Sequence, residues 1–453
     1  METTPQGPVI LPIMAAIIAV TFFFGVLWRR QRGAIAFFEI GVVYVTVVML
    51  YTLYPLIGFI LIGLSYTPFN DSRLFLTQPT PQEIGTVGWY HVVHLVSFIA
   101  MYVIVRGKLP RAQARFRSPA SVTLLIAVVL YLAISVFFLF LSLFFDLSAS
   151  TYLESYLVYK RLPLILAQFA GHLSGIKLTL GLVILAMLFS NYRKYRLLIL
   201  AWLVWVLLVT VFRLGSRTEL VLLMFSVTLM YHYLVKPISL RAIAIVGLLG
   251  LGLFIPLGLM RSGLSLSELT SAYKPFAYSS EFESIFANAY DLGRLKAAGL
   301  IGNLPPAFYL SDLLALVPQQ LLPFPKISPS VWYVTTFYPG FAAAGGGLAF
   351  GTISESVLGL GWIDLILRGA ALGFILAHLQ RHFATRHLAF WPFIFYIWTS
   401  VQVYQLFRGT TFFLLVFFVY RFLPVMVGIK LVSAVLKDLG QRSLPPRSGP
   451  AQV

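Results

Sequence analysis

Two arginines one helical turn apart are the first residues whose types and spacing could do chemistry. The sequence FRLGSRTEL places Arg213 and Arg217 four positions apart, with Glu219 beside them, between two long apolar runs. Two further arginines, Arg261 and Arg408, stand at the ends of other apolar runs. A guanidinium group binds phosphate oxygens through two parallel hydrogen bonds. The four arginines therefore predict an anion site, with a lipid-linked diphosphate as its natural ligand.

Carboxylates are the second kind of candidate, because a general base must accept a proton from an acceptor hydroxyl. Glu355 and Glu281 are the favoured bases. Asp291, Arg294 and Tyr278 are further candidates in the same polar stretch between two apolar runs. Each acid could equally be a solvated residue or the ion-pair partner of a nearby arginine, so the sequence leaves the choice of base open.

Metal and nucleotide chemistry have weak support in the sequence. The chain has no cysteine, which excludes thiolate metal sites and disulfides. His91 is a further site candidate, but its neighbour His94 is not at the four-residue spacing that puts two ligands on one helix turn. The run GGGLAFG lacks the lysine of a P-loop. We therefore expect neither a metal nor another cofactor.

The composition is that of a membrane protein with many spans. Of the 453 residues, 59% are hydrophobic and only 11% are charged, whereas a soluble domain carries about 25% charged residues. The net charge of +18 is explained by basic residues that flank membrane helices. Nucleic-acid binding is disfavoured, because no soluble domain exists to carry a basic stripe.

Hydropathy predicts an all-α protein with about eleven membrane spans, since a span needs about 20 apolar residues. The predicted spans lie near 9–28, 34–64, 86–105, 119–147, 172–190, 197–212, 220–231, 242–260, 357–379, 388–407 and 410–430.

Charge predicts the orientation, because basic residues accumulate on the cytoplasmic side. Of 15 acidic residues, only Asp438 falls in a predicted cytoplasmic segment. The N-terminus is therefore expected outside and the C-terminus inside. The whole chain, 1–453, is one integral membrane domain, with an amphipathic interfacial segment at 148–171, a large, partly helical outer loop at 261–347 and a cytoplasmic tail at 431–453.

Several short motifs resemble one known family. These are FRLGSRTEL between two spans, RSG followed by SSEFES, GGGLAFGTISESVLGLGW at the end of the large loop, and LFRG before the last span. Together they resemble the O-antigen and capsule repeat-unit polymerases of the Wzy type, over about residues 150–425. The resemblance matches Arg213, Arg217, Arg261 and Arg408 to the family's outward arginines. It matches Glu355 to an acidic position in the glycine-rich return.

This resemblance implies the C-class fold of membrane glycosyltransferases, shared with ligases and peptidoglycan polymerases. It implies metal-independent transfer of a glycan from undecaprenyl diphosphate to another lipid-linked repeat unit. The expected location is the bacterial inner membrane, with the active site facing the periplasm. The expected partners are lipid-linked oligosaccharides, membrane lipid, a flippase and a chain-length regulator of lipopolysaccharide or capsule synthesis.

Two alternatives stay open at this point. An O-antigen ligase, or another polyprenyl-diphosphate glycosyltransferase, would use the same donor, although the loop at 261–347 contains no histidine to match the ligase motif. A polysaccharide flippase or transporter belongs to a different class. Arg368 and Arg421, which fall inside apolar runs, favour that reading, whereas the absence of a visible internal repeat opposes it.

Overall fold

The computed structural model is helical through nearly all of its described part. It describes residues 7–32, 38–62, 79–107, 121–145, 162–212, 217–239, 241–242, 245, 281–302, 308, 310–317, 321–324, 326, 328–343, 347–385 and 389–442.

Ten helices of the described protein are long, and nine of them lie before residue 389. These nine are α1 (Gly7–Arg32), α2 (Ile40–Ile62), α3 (Pro81–Arg106), α4 (Ser121–Phe144), α5 (Leu164–Ser190), α6 (Tyr192–Phe212), α7 (Arg217–Leu234), α8 (Glu281–Ala297) and, further along the chain, α13 (Trp362–Thr385). The residues described between α8 and α13 include four short helices, α9 (Ser311–Ala315), α10 (Pro329–Phe337), α11 (Pro339–Ala343) and α12 (Thr352–Leu358). The chain then continues through α14 (Phe390–Gln402), α15 (Gln405–Arg408), α16 (Phe413–Phe417), a π-helical segment (Phe418–Phe422) and α17 (Leu423–Arg442).

Seven helices in the described residues are long and apolar enough to cross a membrane. They are the stretches Pro8–Val26, Ile40–Leu61, Pro81–Arg106, Val122–Phe144, Ile165–Ser190, Trp362–Ala384 and Phe413–Leu436. A shorter apolar helix covers Leu222–Leu234, and the span predicted near 242–260 lies almost wholly outside the described residues. The all-α, multi-pass class is confirmed, while the count of eleven and the orientation stay predictions.

The start of α3 shows how local sequence sets a helix end. Thr80 is the N-cap, Pro81 is the first helical residue, and the Thr80 side chain accepts the backbone N–H of Glu83. The Glu83 carboxylate in turn accepts the backbone N–H of Thr80 at 2.6 Å. This capping box satisfies N–H groups that the first turn leaves without partners. Gly107, with φ of 57°, ends the helix.

Helices α3 and α13 pack closely together, and two glycines make this possible. Gly369 and Gly373 are four positions apart on α13, the spacing of small residues that lets membrane helices approach. A Cβ on Gly369 would lie 2.6 Å from the carbonyl oxygen of His94, and one on Gly373 would lie 2.5 Å from that of Phe98. Gly369 faces His94 and Gly373 faces Phe98, so residue numbers increase in the same direction on both helices and α3 and α13 run parallel. The predicted topology likewise sends both from the outside inwards.

A buried ion pair joins α3 to the residue before α2. Arg106 donates from Nε and Nη2 to the two carboxylate oxygens of Glu39, at 3.1 and 3.0 Å. Both side chains are buried. Arg106, in the last turn of α3, is therefore a fixed structural partner. Glu39 therefore lies beside the C-terminal end of α3.

The predicted outer loop contributes a helix to the core. Helix α8 packs against α2, α3 and α12. Ile285, Phe286 and Ala289 are buried, as their helical spacing predicts. Asn288 and Asp291 are buried as well, so the polar side of α8 does not face solvent as a single amphipathic stripe would require.

A second group of helices surrounds α5. It packs against α4, α6, α7, α14 and the π-helical segment. Arg421 of that segment lies 3.5 Å from the ring centroid of Phe417. Its side chain occupies the space that a Cβ on Gly175 of α5 would need. This arginine, predicted inside a span, is therefore held against an aromatic face and a glycine.

Candidate functional site

A short buried helix, α12, forms the centre of the candidate site. All of its residues, Thr352–Leu358, are buried. Gly351 caps it with φ of 81°, and a Cβ there would lie 2.8 Å from Cγ2 of Ile285 and 3.5 Å from the carbonyl oxygen of Phe407. Glycine is needed on both counts, because a side chain disfavours this backbone conformation and the space is already filled. The glycine lets α12 sit between α8 and α15.

Glu355 of α12 is held by an ion pair and by Thr411. Its Oε2 accepts Nη1 of Arg368 at 2.6 Å, the backbone N–H of Thr411 at 3.1 Å and the Thr411 hydroxyl at 2.8 Å. Nε of Arg368 donates to Asp364 at 2.8 Å. These charge-assisted bonds join α12, α13 and the residues before α16 into one buried network.

This network bears on the predicted role of Glu355 as a base. Oε2 already accepts three hydrogen bonds, so taking a proton on that oxygen would break contacts within the protein. The arrangement is typical of a structural ion pair. The ion pair also explains why Arg368 lies inside a span, so no transport pathway is needed to account for this arginine. The base role of Glu355 stays a prediction, and the geometry favours a positioning role.

Asp291 lies one element away, on α8, between two tyrosines. Its Oδ2 accepts the hydroxyls of Tyr333 and Tyr338. Burial raises the pKa of Tyr333 well above its ordinary value, and the neighbouring Asp291 raises this pKa further. The neutral hydroxyl therefore remains a donor to the carboxylate. Asp291, a candidate on the sequence, fixes α10 and the start of α11 against α8.

Arg294, also a sequence candidate, pairs with the cap of α3. Its guanidinium donates to both carboxylate oxygens of Glu83, with 2.6 Å from Nη2 to Oε2. The hydrogen bond to Glu83 raises the pKa of Arg294, more than burial lowers it. The side chains of both residues remain about one-quarter exposed, at 21% and 26%. The pair fastens α8 to the end of α3.

His91 lies inside this same region. Its ring stacks on Phe286 of α8 at 5.2 Å between centroids and lies 5.6 Å from the ring of Phe407. Nδ1 contacts the carbonyl oxygen of Val87 at 2.8 Å, so this nitrogen carries the proton. Nε2 is buried and has no hydrogen-bond partner among the described residues.

The predicted arginines are only partly described. Arg408, half-buried, ends α15. Arg217 and Glu281 are the first residues of α7 and α8, but their side chains lie outside the described residues. Arg213, Arg261 and Tyr278 lie outside the described residues altogether. Helix α6 ends at Phe212 and α7 begins at Arg217, and the predicted turn between them lies outside the described residues.

The fold brings the described candidates into one region. Helix α8 contacts α3 and α12, and α12 contacts α15. The sequence candidates carried by these four helices are His91, Asp291, Arg294, Glu355 and Arg408. In the described part of the chain, no group of three or more histidine and acidic side chains is arranged to hold a metal ion.

The partners of these residues were not predicted from the sequence. Asp364 and Arg368 stand four positions apart, the spacing of an ion pair on one helix face, and this signal was available. The TPQE sequence likewise indicates that Glu83 belongs to a helix cap. Thr411 carries no signal of its own, because only the fold brings it to Glu355.

Comparison of this chain with models of protein families, with curated proteins and with solved structures finds no match.

Proposed function

We propose that this protein is a membrane glycosyltransferase that polymerises lipid-linked oligosaccharide repeat units. The growing glycan is transferred from undecaprenyl diphosphate to a hydroxyl of another lipid-linked repeat unit. The reaction takes place at the outer, periplasmic face of a bacterial inner membrane. A flippase that supplies repeat units and a chain-length regulator are the expected partners.

One observation supports this proposal above the others. Charged and polar candidates that are far apart in the sequence converge at one end of a multi-pass bundle, around α8 and α12. An anionic lipid head group would meet this end of the bundle while its chain stays in the bilayer. Arg408 at the end of α15 is the described cation best suited to such a head group. Arg213, Arg217 and Arg261 complete the proposed diphosphate site.

The proposed reaction breaks the bond between the anomeric carbon of the donor glycan and its diphosphate oxygen. The diphosphate leaves with the bonding electrons, and arginines stabilise its charge without a metal. The acceptor hydroxyl oxygen attacks the anomeric carbon and gives its proton to a carboxylate. We assign that base to Glu281, because Glu355 and Asp291 each use a carboxylate oxygen to hold neighbouring elements. Those two acids then act as positioning residues.

The test is elongation in vitro. Purified protein is supplied with an undecaprenyl-diphosphate repeat unit from the native host, and products are separated by size. We expect a ladder of longer glycans from the wild type and none from Arg408→Ala, with both proteins equally folded. Arg381→Ala, which removes an exposed cation at the far end of α13, is the matched control and should give a normal ladder.

The outcome also separates the alternatives. Failure of the wild type to elongate a verified native repeat unit would overturn the polymerase proposal. Transfer to a different acceptor lipid, with no ladder, would indicate a ligase. Movement of the repeat unit across vesicle membranes without any new glycosidic bond would indicate a flippase. Arg421, in the π-helical segment of a predicted span, is the observation that favours this last class.

A further inference from the structure

A second site lies at the opposite end of α13 from Glu355. A cavity of about 390 Å³ opens between α13, α14 and α17. Its volume lies in the range of small-molecule sites, about 300 to 1,000 Å³. The α13 residues at the cavity begin at Leu379, eleven positions beyond Arg368, which is about 16 Å along a helix. The cavity is therefore separate from the proposed catalytic region.

The floor of this cavity is aromatic. Phe383 and Tyr396 stack at 3.6 Å between ring centroids, with 14° between their planes. Phe395 lies 5.4 Å from Phe422. The Tyr396 hydroxyl donates to Oε1 of Gln380 at 2.6 Å, so its polar atom is engaged within the protein. An apolar chain is the kind of group that such a floor accommodates.

Two of the side chains that line the cavity are basic. His382 and Lys430 line the cavity and are exposed. Phe422, also in the lining, is eight positions from Lys430, which is about 12 Å along the helix axis. The nearest described acid after Lys430 on α17 is Asp438, eight positions further on and about 12 Å away. The site therefore combines a long apolar groove with positive charge at one end.

We propose that this cavity binds an anionic phospholipid, with its phosphate at Lys430 and His382 and one acyl chain along Trp391, Phe395 and Phe418. Basic pockets between membrane helices bind anionic lipid head groups by this chemistry. The lipid belongs to the leaflet at the C-terminal end of α13. This proposal is independent of the glycosyltransferase assignment, because it uses none of the residues assigned to transfer.

Trp391 provides a direct probe, because it is half-buried and lines the cavity. The full-length protein is reconstituted in vesicles whose acyl chains carry bromine, which quenches tryptophan on contact. The brominated lipid has either a phosphatidylglycerol or a phosphatidylcholine head group. The Trp391 signal is the difference between the wild type and Trp391→Phe. We expect half-maximal quenching at about fivefold lower mole fraction of the anionic lipid, since one basic residue contributes about that factor.

Lys430→Gln should remove this preference, whereas Arg381→Gln should retain it. Arg381 is exposed and adjacent to His382, but it does not line the cavity. Equal quenching by the two lipids would overturn the proposal, as would a preference that survives in Lys430→Gln. A polyprenyl phosphate that relieves the quenching at lower mole fraction than unbrominated phosphatidylglycerol would also overturn it, in favour of an isoprenoid occupant.

Discussion

Removal of the Arg368 guanidinium tests whether Glu355 is a structural partner or a base. Arg368 donates to Glu355 at 2.6 Å and to Asp364 at 2.8 Å. Its side chain is 8% exposed, and that of Glu355 is 1% exposed. Arg368→Ala leaves two carboxylates close together without this cation.

The expected size of the effect follows from burial. Truncating one partner of a buried ion pair costs about 3 to 5 kcal/mol, because a charge stays buried without its counter-ion. An exposed pair contributes about 0 to 1 kcal/mol. Arg368 belongs to the first case, so we expect Arg368→Ala to lower the free energy of unfolding by about 3 to 5 kcal/mol. This is a large share of a typical total of about 5 to 15 kcal/mol.

The assay compares unfolding of purified variants in one detergent. Arg381→Ala, an exposed substitution on the same helix, should change the free energy of unfolding by less than about 0.5 kcal/mol. Arg368→Met combined with Glu355→Gln removes both charges and should recover part of the loss seen in Arg368→Met. The same double variant is then tested for elongation, where a positioning role for Glu355 predicts a retained ladder.

Two results would refute this reasoning. If Arg368→Ala unfolds like Arg381→Ala, the ion pair does not stabilise the fold as its burial implies. If the folded double variant makes no ladder, then the carboxylate of Glu355 itself is needed, and the base assignment returns to it.

Three further contacts are tested by substitution. Gly373→Ala should lower the free energy of unfolding by about 1 to 3 kcal/mol, because its Cβ would overlap α3. Gly428→Ala on α17, where nothing lies within 4 Å, should instead stabilise the protein by about 0.5 to 1 kcal/mol. Equal melting temperatures of the two variants would contradict the close α3–α13 packing. With Tyr333→Phe, stability should fall less steeply above about pH 10, the ordinary pKa of tyrosine. The folded-state pKa of Tyr333 is raised, so its neutral hydroxyl stabilises the fold below about pH 10, and this stabilisation is lost as pH rises towards the folded-state pKa. An unchanged dependence of stability on pH in the alkaline range would contradict this prediction. Glu83→Ala removes both the α3 cap and the pair with Arg294 and should lower the free energy of unfolding by about 1 to 2 kcal/mol. The control is Glu83→Gln, which keeps an acceptor oxygen. Equal stability of these two variants would argue against the cap.

The membrane class and most helix positions could be predicted from the sequence. Apolar runs separated by basic residues predict spans directly, and α1 to α5 lie close to the predicted ranges. The span predicted near 388–407 is divided in the structure into α14 and α15. The break permits the close approach of α15 to α12, a tertiary contact that hydropathy does not encode.

The candidate site was predictable only in part. Residue type and position identified Glu355, Asp291, Arg294, His91 and Arg408 as candidates. Their partners were not predicted, because Thr411 and Glu83 reach Glu355 and Arg294 only through the packing of separate helices.

The sequence by itself determined that this is an all-α membrane protein with a group of arginines and acids between its spans. Hydropathy, helix caps and glycine spacing are local properties, so they can be read without the fold. Only the tertiary structure decided which acids are engaged: Glu355 with Arg368, and Asp291 with Tyr333. Those pairings depend on where α8 and α12 pack, and packing depends on contacts between residues that are far apart in the chain.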